Sequence, residues 1–303
     1  PYCALPECDL NSVSLTTEFL GTELDAPLII TGMTGGTDRA MAMNRVLADT
    51  AQKKKIALGL GSQRASLESG QSQAELRRLA PDAVLIGNLG GAQLARKDGL
   101  KLARAAIEDI RANALAIHLN PLQEAIQPEG DHDWRGVLSA IETAVGTLNC
   151  PVLVKEVGAG LSGNVVRRLA AIGVRYVDVA ARGGTNWAQI ELNRRPGTDR
   201  AHYAPFLSCG LMLPDAIVQA RAVSDNLFLI ASGGVRHGLD AAKCLWLGAD
   251  LVGMAGQILR TVEDDAGHLH SKQLSDLLYS VQQQLRLSLF LAGKSSIKAF
   301  KRG

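Results

Sequence analysis

The chain has 303 residues, 47% of them apolar and 20% charged, with a formal net charge of +2. That supplies material for a large core, and the near-neutral balance gives no electrostatic case for nucleic acid or an anionic membrane. No apolar stretch reaches the roughly 18 residues of a membrane span.

Glycine is 31 of the 303 residues and aromatic residues are only 4%. The glycines pair beside apolar runs, as Gly35-Gly36, Gly90-Gly91, Gly183-Gly184 and Gly233-Gly234. That placement indicates backbone in close approach to something, or tight turns after strands. The cysteines (Cys3, Cys8, Cys150, Cys209, Cys244) are scattered, with no Cys-x-x-Cys and no zinc spacing. Free thiols in a reducing cytosol fit, so a cytoplasmic protein is expected. The start, Pro1-Tyr2-Cys3, has neither Met nor a signal peptide and reads as a truncated N-terminus.

Short apolar runs bounded by Gly, Asn or Pro predict eight buried strands, at 27–33, 57–62, 83–89, 114–120, 152–157, 176–181, 227–231 and 251–255. Helix-like sequence lies between most of them, for example at 39–55, 92–110 and 163–172. Eight strand–helix units in about 250 residues predict an α/β protein, a (β/α)8 TIM barrel forming a single domain over 1–303. An open doubly wound sheet is the rival, but no Gly-x-Gly-x-x-Gly opens the first helix. Two connections are long. Residues 121–134 form an extra loop after strand four, and 191–207 a polar, Arg-rich segment after strand six. The stretch 274–292 predicts a closing amphipathic helix with Leu277, Leu278, Val281, Leu285 and Leu289 on one side.

In a barrel, the polar residues at strand ends face the mouth where sites are built. Thr34-Gly35-Gly36 follows strand one, Ser62-Gln63-Arg64 follows strand two, and Asn88 ends strand three. Arg64 can take a phosphate in bidentate fashion or serve a surface salt bridge. On strand four, alternation puts Ala114, Ala116, His118 and Asn120 on one face. Small residues below and a polar pair above make a site floor; alternatively the pair only satisfies itself. Glu124 lies four residues beyond Asn120, and one carboxylate with substrate phosphates suits Mg²⁺. Glu129, Asp131 and Asp133 read as loop solvation. Lys155 ends strand five inside an apolar run, which an anion, an electron-rich cofactor edge or a pairing with Glu156 or another carboxylate would justify. Thr185 follows strand six. Ser232-Gly233-Gly234 and Gly253-Met254-Ala255-Gly256 end strands seven and eight, where barrels bind phosphate on backbone N–H groups.

These residues carry a resemblance. Met33-Thr34-Gly35-Gly36, Gly61-Ser62-Gln63-Arg64, Asn88-Leu89-Gly90, His118-Leu119-Asn120-Pro121-Leu122-Gln123-Glu124 and Pro128-Glu129-Gly130-Asp131 occur in order. Val154-Lys155-Glu156-Val157-Gly158, Gly183-Gly184-Thr185-Asn186-Trp187 and Ser232-Gly233-Gly234 follow. Together they resemble type 2, flavin-dependent isopentenyl diphosphate isomerase over nearly the whole chain, the His-x-Asn-Pro-Leu-Gln-Glu run being the most specific.

The resemblance implies interconversion of isopentenyl and dimethylallyl diphosphate with reduced FMN and Mg²⁺, NADPH serving as reductant. It places FMN on Gly32, Met33, Thr34, Ser62, Asn88, Lys155, Thr185, Gly233, Gly234, Ala255 and Gly256. It places the isoprenoid diphosphate against Ser62, Gln63, Arg64, His118 and Gln123, with Gln123, His118 and Asn120 catalytic. Glu124 would bind Mg²⁺, and Trp187 and Met33 would wall an apolar pocket. An amide such as Gln123 has no useful pKa near neutrality, so another group must titrate, and a reduced flavin can. The resemblance also implies a homotetramer or larger.

Three departures stand out. The family's N-terminal Arg-Lys pair has no counterpart before Pro1. The family's Gly-Ile-Pro/Ser-Thr segment is here Gly210-Leu211-Met212-Leu213-Pro214. The 193–203 loop has no assigned role. An FMN-barrel oxidoreductase of the α-hydroxy-acid oxidase or dehydrogenase type is the alternative. It would need a catalytic His beside an Arg after a late strand, for which Arg236-His237 is available. An inert flavin- or nucleotide-binding barrel leaves the converging polar set without a reason.

Overall fold

The predicted strand runs all form. The computed structural model describes residues 2–33 and 38–301, with only the backbone of Thr198 among them. Thr34, a predicted FMN contact, and the Gly35-Gly36 pair lie outside the described residues. A short antiparallel hairpin, β1 (Thr17–Phe19) and β2 (Thr22–Leu24), precedes the barrel. The barrel strands are β3 (Leu28–Ile30), β4 (Ala57–Gly59), β5 (Leu85–Gly90), β6 (Ala114–Leu119), β7 (Val152–Glu156), β8 (Tyr176–Asp178), β9 (Phe228–Ser232) and β10 (Leu251–Met254). All neighbours are parallel, and the sheet closes in the order β10-β3-β4-β5-β6-β7-β8-β9. This is the expected (β/α)8 barrel.

Alternation along each strand divides two cores. Ala114 and Ala116 of β6 point inward with Ile86, Leu153 and Ile230. Leu115 and Ile117 point outward into the larger core beneath the helices. The hairpin closes the lower end of the barrel, a feature the periodicity of its three-residue strands was too short to reveal. Phe19 stacks on Phe228 with centroids 4.9 Å apart and meets Tyr176 at 6.1 Å. The hairpin turn puts Leu20 at φ 52° and Gly21 at φ 74°, the left-handed pair a tight two-residue turn requires.

Some predicted helices divide. The 92–110 stretch forms Gly91–Leu94 and Gly99–Ile110. The 121–134 loop opens with the helix Pro121–Ile126, and the Arg-rich segment is largely helical, as Trp187–Arg194, Gly197–Tyr203 and a 3-10 turn at Ala204–Ser208. The closing helix spans Ser271–Leu291 and buries Leu274, Leu278, Val281, Leu285 and Leu289. Each such side chain contributes about 1.5–3 kcal/mol. No helix among the described residues is long and apolar enough to cross a membrane.

Candidate active site

The C-terminal mouth of the barrel opens into a cavity of about 680 Å³. Gly32, Met33, Ser62, Arg64, Asn88, His118, Asn120, Gln123, Glu124, Lys155, Thr185, Gly233, Gly234, Ala255 and Gly256 all line it. Gln63 does not. It is fully buried in the barrel wall, accepting from Asn88 N at 2.9 Å and donating to Ala106 O at 3.1 Å. Gln63 therefore braces Asn88 from behind, and its expected contact with substrate is corrected.

The floor comes from three adjacent strands. Asn88 is on β5, His118 on β6 and Lys155 on β7, and His118 and Lys155 are direct register partners. Asn88 Nδ2 donates to Leu60 O at 2.8 Å, which leaves Asn88 Oδ1 to accept from His118 Nδ1 at 2.8 Å. The proton is thereby assigned to Nδ1, and Nε2 is the acceptor. Burial, with Lys155 and Arg64 adding repulsion, pushes His118 down to about 3, so its ring is neutral.

Lys155 donates to the backbone carbonyl of Glu156 at 2.7 Å. The Glu156 carboxylate turns away and gathers the N–H groups of Val157, Gly158, Ala159 and Gly160. Of the two carboxylate pairings left open for Lys155, the one with the Glu156 side chain does not form. The register partner of Lys155 on β8 is Asp178, which also accepts from Ser232 Oγ at 2.7 Å and Ala180 N at 3.1 Å. Burial lowers the Lys155 pKa and raises that of Asp178, and the attraction of each for the other opposes both shifts.

A second cluster hangs over the floor. Asn120 precedes the helix Pro121–Ile126, whose first-turn proline sets the helical φ. Asn120 Nδ2 donates to Gln123 Oε1 at 3.2 Å and to Glu124 Oε1 at 3.0 Å. Gln123 Nε2 donates to Glu191 Oε1 at 3.2 Å, and Glu191 is buried and paired with Arg194 at 2.6 Å. Glu124 Oε2 accepts from Asp131 N at 2.8 Å. Asp131 is more than loop solvation, since it holds Gln93 at 2.6 Å and Arg96 at 3.0 Å and lies 3.9 Å from Arg64. Asp133 instead pairs with exposed Arg135, and Glu129 with Arg194.

The glycine pairs separate into different duties. Gly233 and Gly234 take φ of 119° and 87° and abut the backbone of Ala181 and Gly183 so closely that a Cβ at either would clash. Among the described residues their N–H groups donate to nothing, so both remain available to the cavity. Gly90 and Gly91 do not line it. They let Gln93, His118, Leu119 and Val137 close in around the helix Gly91–Leu94.

Three residues of the site, Asp178, Glu191 and Gln93, went unremarked in the sequence, and a fourth, Asp131, was read only as loop solvation. Asp178 was visible as a carboxylate in an apolar run beside the lysine strand. Glu191 and Gln93 carried no local signal, because long-range packing brings them to the mouth. The alternative pair divides: Arg236 lines the cavity, whereas His237 caps the helix Gly238–Trp246, accepting from Asp240 N at 3.2 Å.

Residues 91–303 match the family described as FMN-dependent dehydrogenase. The isopentenyl-diphosphate delta-isomerase of Xanthobacter autotrophicus is 50% identical over 306 residues, covering 99% of this chain and 87% of its own length. That of Cronobacter sakazakii is 46% identical, with 99% and 86% covered. Among solved structures, a lactate oxidase of Pediococcus acidilactici superposes with a TM-score of 0.73 at 18% identity, covering 99% of this chain and 80% of that one. At that identity the likeness shows the barrel alone. Near-full-length identity to the two isomerases, with the shared flavoprotein domain, shows that this chain belongs to the isopentenyl-diphosphate delta-isomerase family.

Proposed function

We propose that the protein interconverts isopentenyl and dimethylallyl diphosphate at this mouth, with reduced FMN and Mg²⁺ bound there and NADPH keeping the flavin reduced. The observation that carries the reading is the joined cluster of Asn120, Gln123 and Glu124 on the wall of one cavity with Lys155 and the free Gly233 and Gly234 N–H groups.

The residues present fit FMN. An ammonium has three donors, and Lys155 spends one on Glu156 O. Its remaining donors suit an electron-rich ring edge, and the two glycine N–H groups suit the phosphate. Bound there, the reduced flavin supplies a titrating group for proton addition and removal with no net redox change. Arg64 lines the cavity and would hold the substrate diphosphate, countering its charge, whereas neutral His118, whose Nε2 is an acceptor, would face the isoprenoid.

Glu124 fits a metal only jointly with substrate. Each of its oxygens accepts one hydrogen bond and keeps further lone pairs. No group of three or more His, Cys, Asp or Glu among the described residues is arranged to hold a metal ion. One carboxylate completed by diphosphate oxygens is a usual Mg²⁺ arrangement. Gln123 faces the alkene and passes or orients a proton, its amide held between Asn120 and Glu191. Met33, Trp187, Ile190 and Leu259 exclude water around an electron-poor carbon skeleton. A cytosolic homotetramer or larger completes the proposal.

The test is to supply isopentenyl diphosphate, Mg²⁺ and photoreduced FMN to the purified protein. Dimethylallyl diphosphate formed without stoichiometric flavin oxidation is expected. Absence of product in the fully reduced, Mg²⁺-loaded protein overturns the proposal.

A further inference from the structure

A second cavity, of about 310 Å³, lies at the other end of the barrel. The helix Asp38–Lys54 starts at the mouth after β3, and its 17 residues carry the chain roughly 25 Å toward the opposite end. There Lys53 and Lys54 line the cavity with Gln282 and Arg286 of the closing helix, Thr16 and Asp25.

Arg286 is the residue that needs explaining. Its Nε is buried with no hydrogen-bond partner, and no ion pair to its guanidinium is found among the described residues. The buried Nε itself is out of reach of the cavity, but Arg286 lines it, and its terminal nitrogens make no hydrogen bond or ion pair among the described residues, so they are the donors it offers an anion. Its neighbours are also donors with capacity to spare. Gln282 is one helical turn earlier on the same face, and its amide makes no hydrogen bond among the described residues. Thr16 Oγ1 accepts from Ser14 Oγ at 3.1 Å, so its own proton is uncommitted. Among the described residues Lys54 has no carboxylate partner, and it lies 5.9 Å over the Tyr279 ring. Lys53 is already paired with Asp49 at 2.6 Å. Against this set stands one lining acid, Asp25, whose nearest cation is Lys55 at 4.0 Å. Leu15 is the one apolar lining side chain among the described residues, so these walls would not take a hydrocarbon tail.

We propose that this cavity is a second oxyanion site, which takes an inorganic phosphate or diphosphate on Arg286, Gln282, Lys54 and Thr16, separate from the mouth. A multivalent oxyanion offers acceptors in several directions and matches a fork-shaped guanidinium. A prenyl chain adds nothing to recognition here, which sets this site apart from the mouth with its apolar walls.

The experiment is equilibrium dialysis of labelled inorganic diphosphate against the FMN-loaded protein without Mg²⁺. The wild type should bind at two independent classes of site. Arg286→Gln should lose one class and keep its isomerase turnover, whereas Arg64→Gln should lose the other. Equal binding by wild type and Arg286→Gln overturns the proposal. So does an Arg286→Gln protein that changes its sedimentation while binding as much diphosphate, because the pocket would then be a contact between copies of the chain. Arg286→Met gives an independent readout. In anion-free buffer it should melt at or above the wild type, and added phosphate should raise its melting temperature less. An Arg286→Met protein that melts lower without any anion contradicts the site.

Discussion

Asn88 and His118, on neighbouring strands, form one hydrogen-bonded unit at 2.8 Å whose polarity is fixed by the carbonyl of Leu60 behind it. The consequence is a neutral imidazole with Nε2 left as an acceptor in a cavity that also holds Lys155 and Arg64. His118 takes a proton near pH 3 in the folded protein, against about 6.5 when unfolded. Between those values the unfolded chain binds the extra proton, so this residue makes stability fall as pH drops from about 6.5 toward 3. Urea unfolding midpoints measured across that window should decline less steeply in His118→Gln than in the wild type. Equal slopes would show that the ring is not held neutral.

Among the described residues the Gln123 amide hydrogen-bonds only to the Asn120 and Glu191 side chains. Gln123→Ala should therefore bind FMN normally and lose about 10²-fold or more of its turnover, the scale of a lost proton-transfer group. Flavin fluorescence titration and single-turnover kinetics check the two halves. Loss of FMN affinity would place Gln123 against the cofactor instead.

Glu191 holds Gln123 and is in turn charged against Arg194. Glu191→Gln keeps the size and an acceptor oxygen but removes the charge. kcat should fall by about tenfold with KM held, as expected when an interaction matters mainly in the transition state. An unchanged kcat with a raised KM would reduce Glu191 to a substrate-side contact.

Glu124→Gln should raise the Mg²⁺ concentration for half-maximal activity by at least about tenfold, since even outer partners of a metal cost that much. The Mg²⁺ titration of the variant, at saturating substrate, reads this directly. A curve superposing on that of the wild type would remove Glu124 from the metal.

Phe19 ties the hairpin to the strand starts at Tyr176 and Phe228. Phe19→Ala should lower unfolding stability by about 3–5 kcal/mol, the usual cost of emptying an aromatic core position. FMN binding by the folded fraction should be retained, because the mouth is at the other end. Denaturant unfolding and flavin titration separate the two effects.

The barrel was legible because each buried strand is an apolar run bounded by a breaker, and β6 even showed which face was inward through Ala114, Ala116 and His118. The hairpin was not, since three residues such as Thr17–Phe19 carry too little periodicity to distinguish strand from loop. Within the site, order along the chain did not reveal which way a side chain turns. Gln63 lies inside a matching motif and yet points into the wall, held by Asn88 N and Ala106 O. Glu191 shows the opposite failure. It lies on a helix read as a polar connection and reaches Gln123 across 68 residues of sequence. The glycine excess was not legible as one role, because Gly234 serves a close approach to Gly183 while Gly90 serves helix packing.

The central claim is proton addition and removal on an alkene at the mouth without net redox change. Running the reaction in D₂O with FMN kept reduced tests it most directly. The account predicts dimethylallyl diphosphate that carries solvent deuterium and accumulates to equilibrium while the flavin spectrum stays reduced. A protein that yields no deuterated product, and whose oxidised flavin is instead bleached by a 2-hydroxy acid, would contradict it.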